Sequence, residues 1–181
     1  VLTKEKSDSY ESSRQIDNFK HMLESINYDI RALLIKLSDR LHNMRTLNSM
    51  RPEKQMKIAG ETDYFYAPLA NRLGLYDVKT ELENLSLKYR CPQEYAVLER
   101  ALKEDEERNR DHYESISTKI QNILDDNRID ATIFVRNRKP YSIWKKLNQS
   151  GKDFEHLDNR SVIRIIYSDD FKRSDKSICL N

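Results

Sequence analysis

Four side chains able to do chemistry recur at helical spacing in the stretch Lys36–Leu47 (KLSDRLHNMRTL). Lys36, Asp39, Asn43 and Thr46, with Met50 beyond, follow one another three or four residues apart. Such positions share one face of a helix, so an amine, a carboxylate, an amide and a hydroxyl form one row. Asp39 could ligate a hard or borderline divalent cation. Asn43 and Thr46 could hold ligand oxygens one and two turns further along. Leu37, Leu41 and Met44 step the same way on a different face, which gives the helix a packing side. On pattern alone, an amphipathic helix with its polar row in water is the simpler account, because one carboxylate does not make a metal site.

A second group surrounds the short apolar stretch Tyr141–Leu147. Arg136, Arg138, Lys139, Lys145 and Lys146 crowd positive charge there, and Ser142 adds a hydroxyl. Such a group suits a polyphosphate, since arginine offers forked donors and lysine a point charge. A solvated basic patch has the same composition.

These residues need elements to hold them. Residues 1–10 are polar and unpatterned, and read as a loop. Ile16, Phe19, Met22, Leu23 and Ile26 fall at helical spacing from Glu11 onward. A second helix is predicted from about Tyr28 to Leu47, with Ile30, Leu33, Leu34, Leu37, Leu41 and Met44 as its apolar row. Pro52, with Glu53 in the first turn, opens a third helix. Pro68 inside it predicts a kink near Tyr64, and Gly74 is a C-cap candidate. A fourth helix, marked by Val78, Leu82, Leu85 and Tyr89, stops before Pro92.

Pro92 to about Asp126 is charged and helical, with Tyr95, Leu98, Leu102, Ile116, Ile120 and Leu124 along one face. Within it the run Lys103–His112 reads as an exposed, solvated stretch. Ala131–Val135 and Val162–Tyr167 are β-branched and aromatic strand candidates flanking a short helix over Tyr141–Leu147. The pattern changes near residue 128, where a domain boundary is expected.

Composition narrows the function classes. Only three Gly and four Pro in 181 residues favour long helices over a turn-rich β-fold. A net charge of +2 gives no global argument for DNA or a membrane surface. Cys91 and Cys179 form no close pair, which points to a reducing compartment without a disulfide framework. No apolar run is long enough to span a bilayer and no signal-peptide pattern opens the chain, so a cytoplasmic location is expected. Val1 is not an initiator Met, and the chain reads as a piece of a longer protein.

The string KLSDRLHNMRTL resembles the last metal-ligand helix of the hydrolase domain in RelA/SpoT-homologue enzymes, which make and degrade the alarmone (p)ppGpp. The whole approach QIDNFKHMLESINYDIRALLIKLSDRLHNMRTL is similar to that family. So are YAPLANRLGLYDVKTELENLSLKY (Tyr66–Tyr89), RNRKPYSIWKKL (Arg136–Leu147) and FEHLDNRSVIRIIY (Phe154–Tyr167), in the family's order and spacing.

The resemblance implies a mainly α chain. It would hold the C-terminal part of an HD-type hydrolase domain over 1–90 and a helical linker over 91–128. The start of an α/β nucleotidyltransferase-like synthetase domain would follow over 129–181.

It also implies site residues. The family's hydrolase holds Mn²⁺ with two His and two Asp and removes the 3′-pyrophosphate of (p)ppGpp. Asp39 matches the last metal Asp, and Asn43 and Thr46 match pocket positions. The earlier ligands, a His and an HDxxED string, would precede Val1. None of His21, His42, His112 and His156 takes their places, and His42 lies off the Asp39 face. In the synthetase, Arg136, Arg138, Ser142 and Lys146 match positions that contact the donor ATP. Pyrophosphate passes from there to GTP or GDP.

The family's Mg²⁺-binding Asp falls here on Asn159, with Asp158 one place earlier. A neutral amide is a far weaker Mg²⁺ ligand than a carboxylate. The expectation is therefore a hydrolase-leaning enzyme of (p)ppGpp metabolism in the stringent response, with a weak or lost Mg²⁺-dependent pyrophosphotransferase. Two alternatives stand beside it: a regulatory or interaction segment with neither activity, and a fully bifunctional enzyme. Expected partners are ppGpp, GTP, GDP and ATP, with room for ribosome contact through a C-terminal region and none for DNA or membrane.

Overall fold

The structure, a computed structural model, describes residues 30–157 and 159–167. The predicted loop over 1–10, the predicted helix over 11–26, the start of the next helix, His21, Asp158 and Cys179 lie outside the described residues. The chain divides into two compact units, Val1–Pro92 and Gln93–Asn181.

In the first unit, α1 (Ile30–Arg45) runs into a 3₁₀ turn (Leu47–Ser49). Leu33, Leu37, Met44 and Leu47 are buried, with Leu41 packed beside them. Ile30 and Leu34, expected in the same row, are exposed. Leu34 lies about 100° around the helix from Leu33, at the edge of the buried stripe. His42 and Arg45 occupy the last turn, where positive charge complements the helix C-terminus.

α2 (Pro52–Glu61) begins on Pro52, whose fixed φ and absent N–H suit a first turn. The kink expected from Pro68 takes a specific form. Residues Thr62–Tyr66 make a π-helical turn, and the Ala67 N–H donates to the Thr62 carbonyl. Pro68 has no N–H for the Tyr64 carbonyl and its ring would press on it; the wider turn relieves both. α3 (Ala67–Arg72) follows directly.

Gly74 then ends the helix in the left-handed region, φ +72°. The Leu75 N–H donates to the Ala70 carbonyl at 2.9 Å and the Gly74 N–H to that of Asn71 at 3.1 Å, the paired bonds of a Schellman cap. α4 (Tyr76–Arg90) packs Leu82, with Val78, Leu85 and Tyr89, into the core that holds Leu33, Leu37 and Met44.

In the second unit, α5 (Pro92–Asp126) is one long helix. β1 (Ala131–Asn137) pairs antiparallel with β2 (Ser161–Tyr167), from Ala131 opposite Tyr167 to Asn137 opposite Ser161. Between them lies α6 (Pro140–Ser150), ended by Gly151 at φ +63°. Leu98 and Leu102 of α5 pack with Ile143 of α6 and Leu157, and Trp144, Leu147 and Phe154 flank them. The stretch expected to be exposed and solvated, Lys103–His112, is largely so, but Asp105 is 5% exposed and is met by Arg160, just before β2. Among the described residues no helix is long and apolar enough to cross a membrane.

Gly74→Ala tests the cap. A Cβ added there meets nothing within 4 Å, so the cost is conformational alone. A loss of about 1–2 kcal/mol is expected for an L-residue held left-handed. Urea unfolding should show a lower midpoint at unchanged slope.

Candidate functional site

α1 turns its polar row outward because its opposite side is buried. Lys36 and Asp39 are exposed, Asn43 is half-buried and Thr46 is exposed. Asn43 Nδ2 donates to Asp39 Oδ2 at 3.2 Å. The amide thus holds one oxygen of the carboxylate and fixes its direction. Thr46 Oγ1 lies 3.1 Å from the His42 carbonyl and 3.5 Å from that of Asn43. Its proton is committed to the backbone, which leaves its lone pairs to accept from a ligand. His42 is exposed and adds no ligand beside Asp39.

A divalent metal is the group that the sequence implies here. Asp39 fits one place in such a set: it is an exposed carboxylate with one oxygen held by an amide. Among the described residues, no group of three or more His, Cys, Asp or Glu side chains could hold a metal ion. Asp39 is thus one donor without a described set around it.

Three arginine–carboxylate contacts join the elements of this unit, two of them from α1. Arg40 Nη2 meets Glu61 Oε2 at 3.3 Å, and its guanidinium lies 4.2 Å from the centre of the Tyr66 ring. Arg45 forks onto Glu81 with bonds of 2.6 and 2.8 Å. Arg90 reaches back to Asp63 in the π turn. Arg40 and Arg45 flank Asn43, so they tie the row to α2 and α4. The hydrogen bond from Arg45 holds the Glu81 carboxyl below its ordinary range; partial burial opposes this and the charge of Arg45 assists. The same bond raises Arg45. None of these partners was singled out from the sequence; i,i+4 spacing is a local signal, and these pairs join separate helices.

In the second unit, the structure brings together Arg138, Ser142, Lys146 and Asn159. Arg138 Nε donates to the Asn159 carbonyl at 2.6 Å, and its Nη1 lies 3.5 Å from Ser142 Oγ. One turn further along α6, Lys146 lines a cleft of about 340 Å³ with Gln149, Ser150, Lys152, Leu157 and Asn159. Arg136 sits on β1 opposite Val162, exposed and outside that lining. Gln149, Ser150 and Lys152 were missed in the sequence. The available signal was Gly151, whose left-handed turn folds the chain back so that Lys152 falls beside Ser150. Among the described residues the cleft lining carries two lysines and no carboxylate. Asn159 is left-handed, φ +60°, a conformation that Asn tolerates better than most residues.

The chain is similar to known proteins over most of its length. A family model described as "HD domain" matches residues 2–76. GTP pyrophosphokinase rsh of Brucella melitensis is 40% identical over 84% of this chain and 20% of its own length. Guanosine-3′,5′-bis(diphosphate) 3′-pyrophosphohydrolase of Haemophilus influenzae is 39% identical over 84% of this chain and 22% of its own length. Bifunctional (p)ppGpp synthase/hydrolase SpoT of Escherichia coli is 37% identical over 86% and 22%. The chain spans about a fifth of the length of these curated relatives.

Glu81→Gln tests the brace beneath the row. Glu81 is lowered in the folded state, so the stability it contributes is present above the ordinary glutamate pKa. That stability is lost as pH falls through the folded value. The gap in urea stability between wild type and Glu81→Gln should be present at neutral pH, narrow with added salt, and close in acid. A gap that persists in acid would refute the assignment to this pair.

Proposed function

The chain belongs to the RelA/SpoT-homologue family, and from that premise we propose that it serves metal-dependent 3′-pyrophosphohydrolysis of (p)ppGpp, as part of the stringent response in the cytoplasm. The observation that carries this reading is the Asp39–Asn43–Thr46 row on α1, inside the stretch matched as an HD domain. On this reading, residues 1–90 are the C-terminal part of the hydrolase domain. Residues 91–128 are a helical linker, and residues 129–181 begin the synthetase domain.

The residues divide the work. Asp39 supplies one charged oxygen ligand, aimed by its helix and by the Asn43 amide. Asn43 and Thr46 lie along the same face and contact oxygens of the guanine nucleotide. A divalent metal, which we assign as Mn²⁺, supplies the remaining chemistry when bound: acidifying water near neutral pH and offsetting charge on the phosphate oxygens.

In the second unit, Arg138, Ser142 and Lys146 suit the phosphates of ATP, and Arg136 adds charge from β1. By the family resemblance Asn159 stands where a carboxylate would hold Mg²⁺, and among the described residues the cleft lining offers none in its place, Asp158 lying outside them. That supports a weak or lost transfer of pyrophosphate from ATP to GTP or GDP. A second reading, a regulatory segment with neither activity, draws on the lack of a described donor set around Asp39.

An assay of Mn²⁺-dependent ppGpp hydrolysis on the intact protein decides between them. Asp39→Ala should abolish hydrolysis, and Asn43→Ala should lower metal affinity or activity about 10–100-fold, as expected for a group that orients a ligand. Full hydrolysis by Asp39→Ala would sink the assignment, and none by wild type would favour the regulatory reading. Efficient ATP-to-GDP pyrophosphate transfer by the intact protein would instead make it bifunctional.

A further inference from the structure

Asp105 is the one buried charged side chain among the described residues. It stands on α5, in a run otherwise made of exposed charges. A buried carboxylate persists only where it is paired and hydrogen-bonded. Arg160 Nη2 approaches Asp105 Oδ1 at 3.3 Å, and Asn109 Nδ2 donates to the same oxygen at 3.1 Å.

Arg160 is itself held from a second side. Its Nη1 donates to the Phe154 carbonyl at 3.3 Å, and its guanidinium lies 5.2 Å from the centre of the Phe154 ring. Phe154 packs on the core of Leu98, Leu102, Ile143 and Leu157. Glu155 stands 4.0 Å from the same guanidinium but is mostly exposed, so it adds little.

What Arg160 holds in turn is the backbone that meets Arg138. The Arg160 carbonyl accepts from the Arg138 N–H at 2.9 Å. The preceding carbonyl, that of left-handed Asn159, accepts from Arg138 Nε at 2.6 Å. Arg138 is thereby fixed at backbone and side chain alike, beside Ser142 at the start of α6.

We infer that Asp105 is a positioning residue: through Arg160 it sets the backbone at Asn159 and Arg160, and so the guanidinium of Arg138, which is bonded to the carbonyl of the cleft-lining Asn159. It also neutralises Arg160 internally, so that Arg160 does not compete with Arg138 and Lys146 for an anion. The inference rests on the reading of that cleft as a polyphosphate site, and its test separates the two.

Two measurements on the full chain suffice. Hydrogen exchange at the Arg138 amide reads the backbone without any ligand. Titration with inorganic tripolyphosphate, followed by the fluorescence of Trp144, the chain's single tryptophan, reads the cleft. In Asp105→Asn, the Arg138 amide should exchange about tenfold faster relative to an amide inside α5, since a charged hydrogen bond is lost. Tripolyphosphate affinity should fall several-fold.

Asp105→Glu should restore both in part. Arg160→Lys, which keeps the charge and loses the fork, should move both in the same direction less far, and it serves if Asp105→Asn does not fold. A merely structural Asp105 would lower the melting temperature while leaving the relative exchange at Arg138 unchanged; that result overturns the inference. If Lys146→Ala leaves tripolyphosphate affinity unchanged, the cleft reading fails, and the exchange result still decides the role of Asp105.

Discussion

Everything on the Asp39 face depends on burying the opposite side of α1. Leu33, Leu37, Met44 and Leu47 are at most 2% exposed, locked against α2, α3 and α4. Rotating α1 to hide Asp39 would expose that stripe, at roughly 1.5–3 kcal/mol for each large apolar side chain returned to water. Asp39 lies about 200° from Leu37 around the helix. The orientation of the carboxylate is therefore a consequence of core packing. The arginines refine it: Arg40 and Arg45 emerge at the boundary between the two faces and anchor it on Glu61 and Glu81.

The π turn belongs to the same constraint. α2 and α3 must both cover α1, and Pro68 lies between their packing residues. A five-residue wide turn keeps Ala59, Thr62, Ala67 and Ala70 buried while accommodating the proline. Thr62 shows how tight the fit is. Its hydroxyl donates to the Ile58 carbonyl at 2.7 Å and lies 3.3 Å from Met44 Sδ, directly behind the polar row. Small residues at 59, 67 and 70 let the backbones approach there.

Local rules account for most of what could be read in advance. The α1 stripe, the start at Pro52, the end at Gly74 and both strands follow from periodicity and from backbone preferences. Each of those signals sits within a few residues of the feature it specifies. Pro68 announced a disturbance near Tyr64, but the choice of a π turn over a simple bend was made by packing on α1. Asp105 was unreadable for the same kind of reason. In the run KEDEERNRDH it looks like its neighbours, and its burial is set by Arg160, fifty-five residues later in the chain. The cleft beside Lys146 likewise needed the turn at Gly151 and the left-handed backbone at Asn159 before its walls existed.

Charge is arranged differently around the two candidate groups, and that difference bears on chemistry. Asp39 is an exposed carboxylate oriented by the neutral amide of Asn43, with Lys36 one turn before it in the same row. Such a group draws a cation. The cleft in the second unit presents Lys146 and Lys152 with the neutral Asn159, and the nearby acid, Asp105, is turned inward and matched by Arg160. Such a surface draws an anion. The two groups thus differ in the sign of the ligand they attract, a carboxylate for a cation and lysines for an anion.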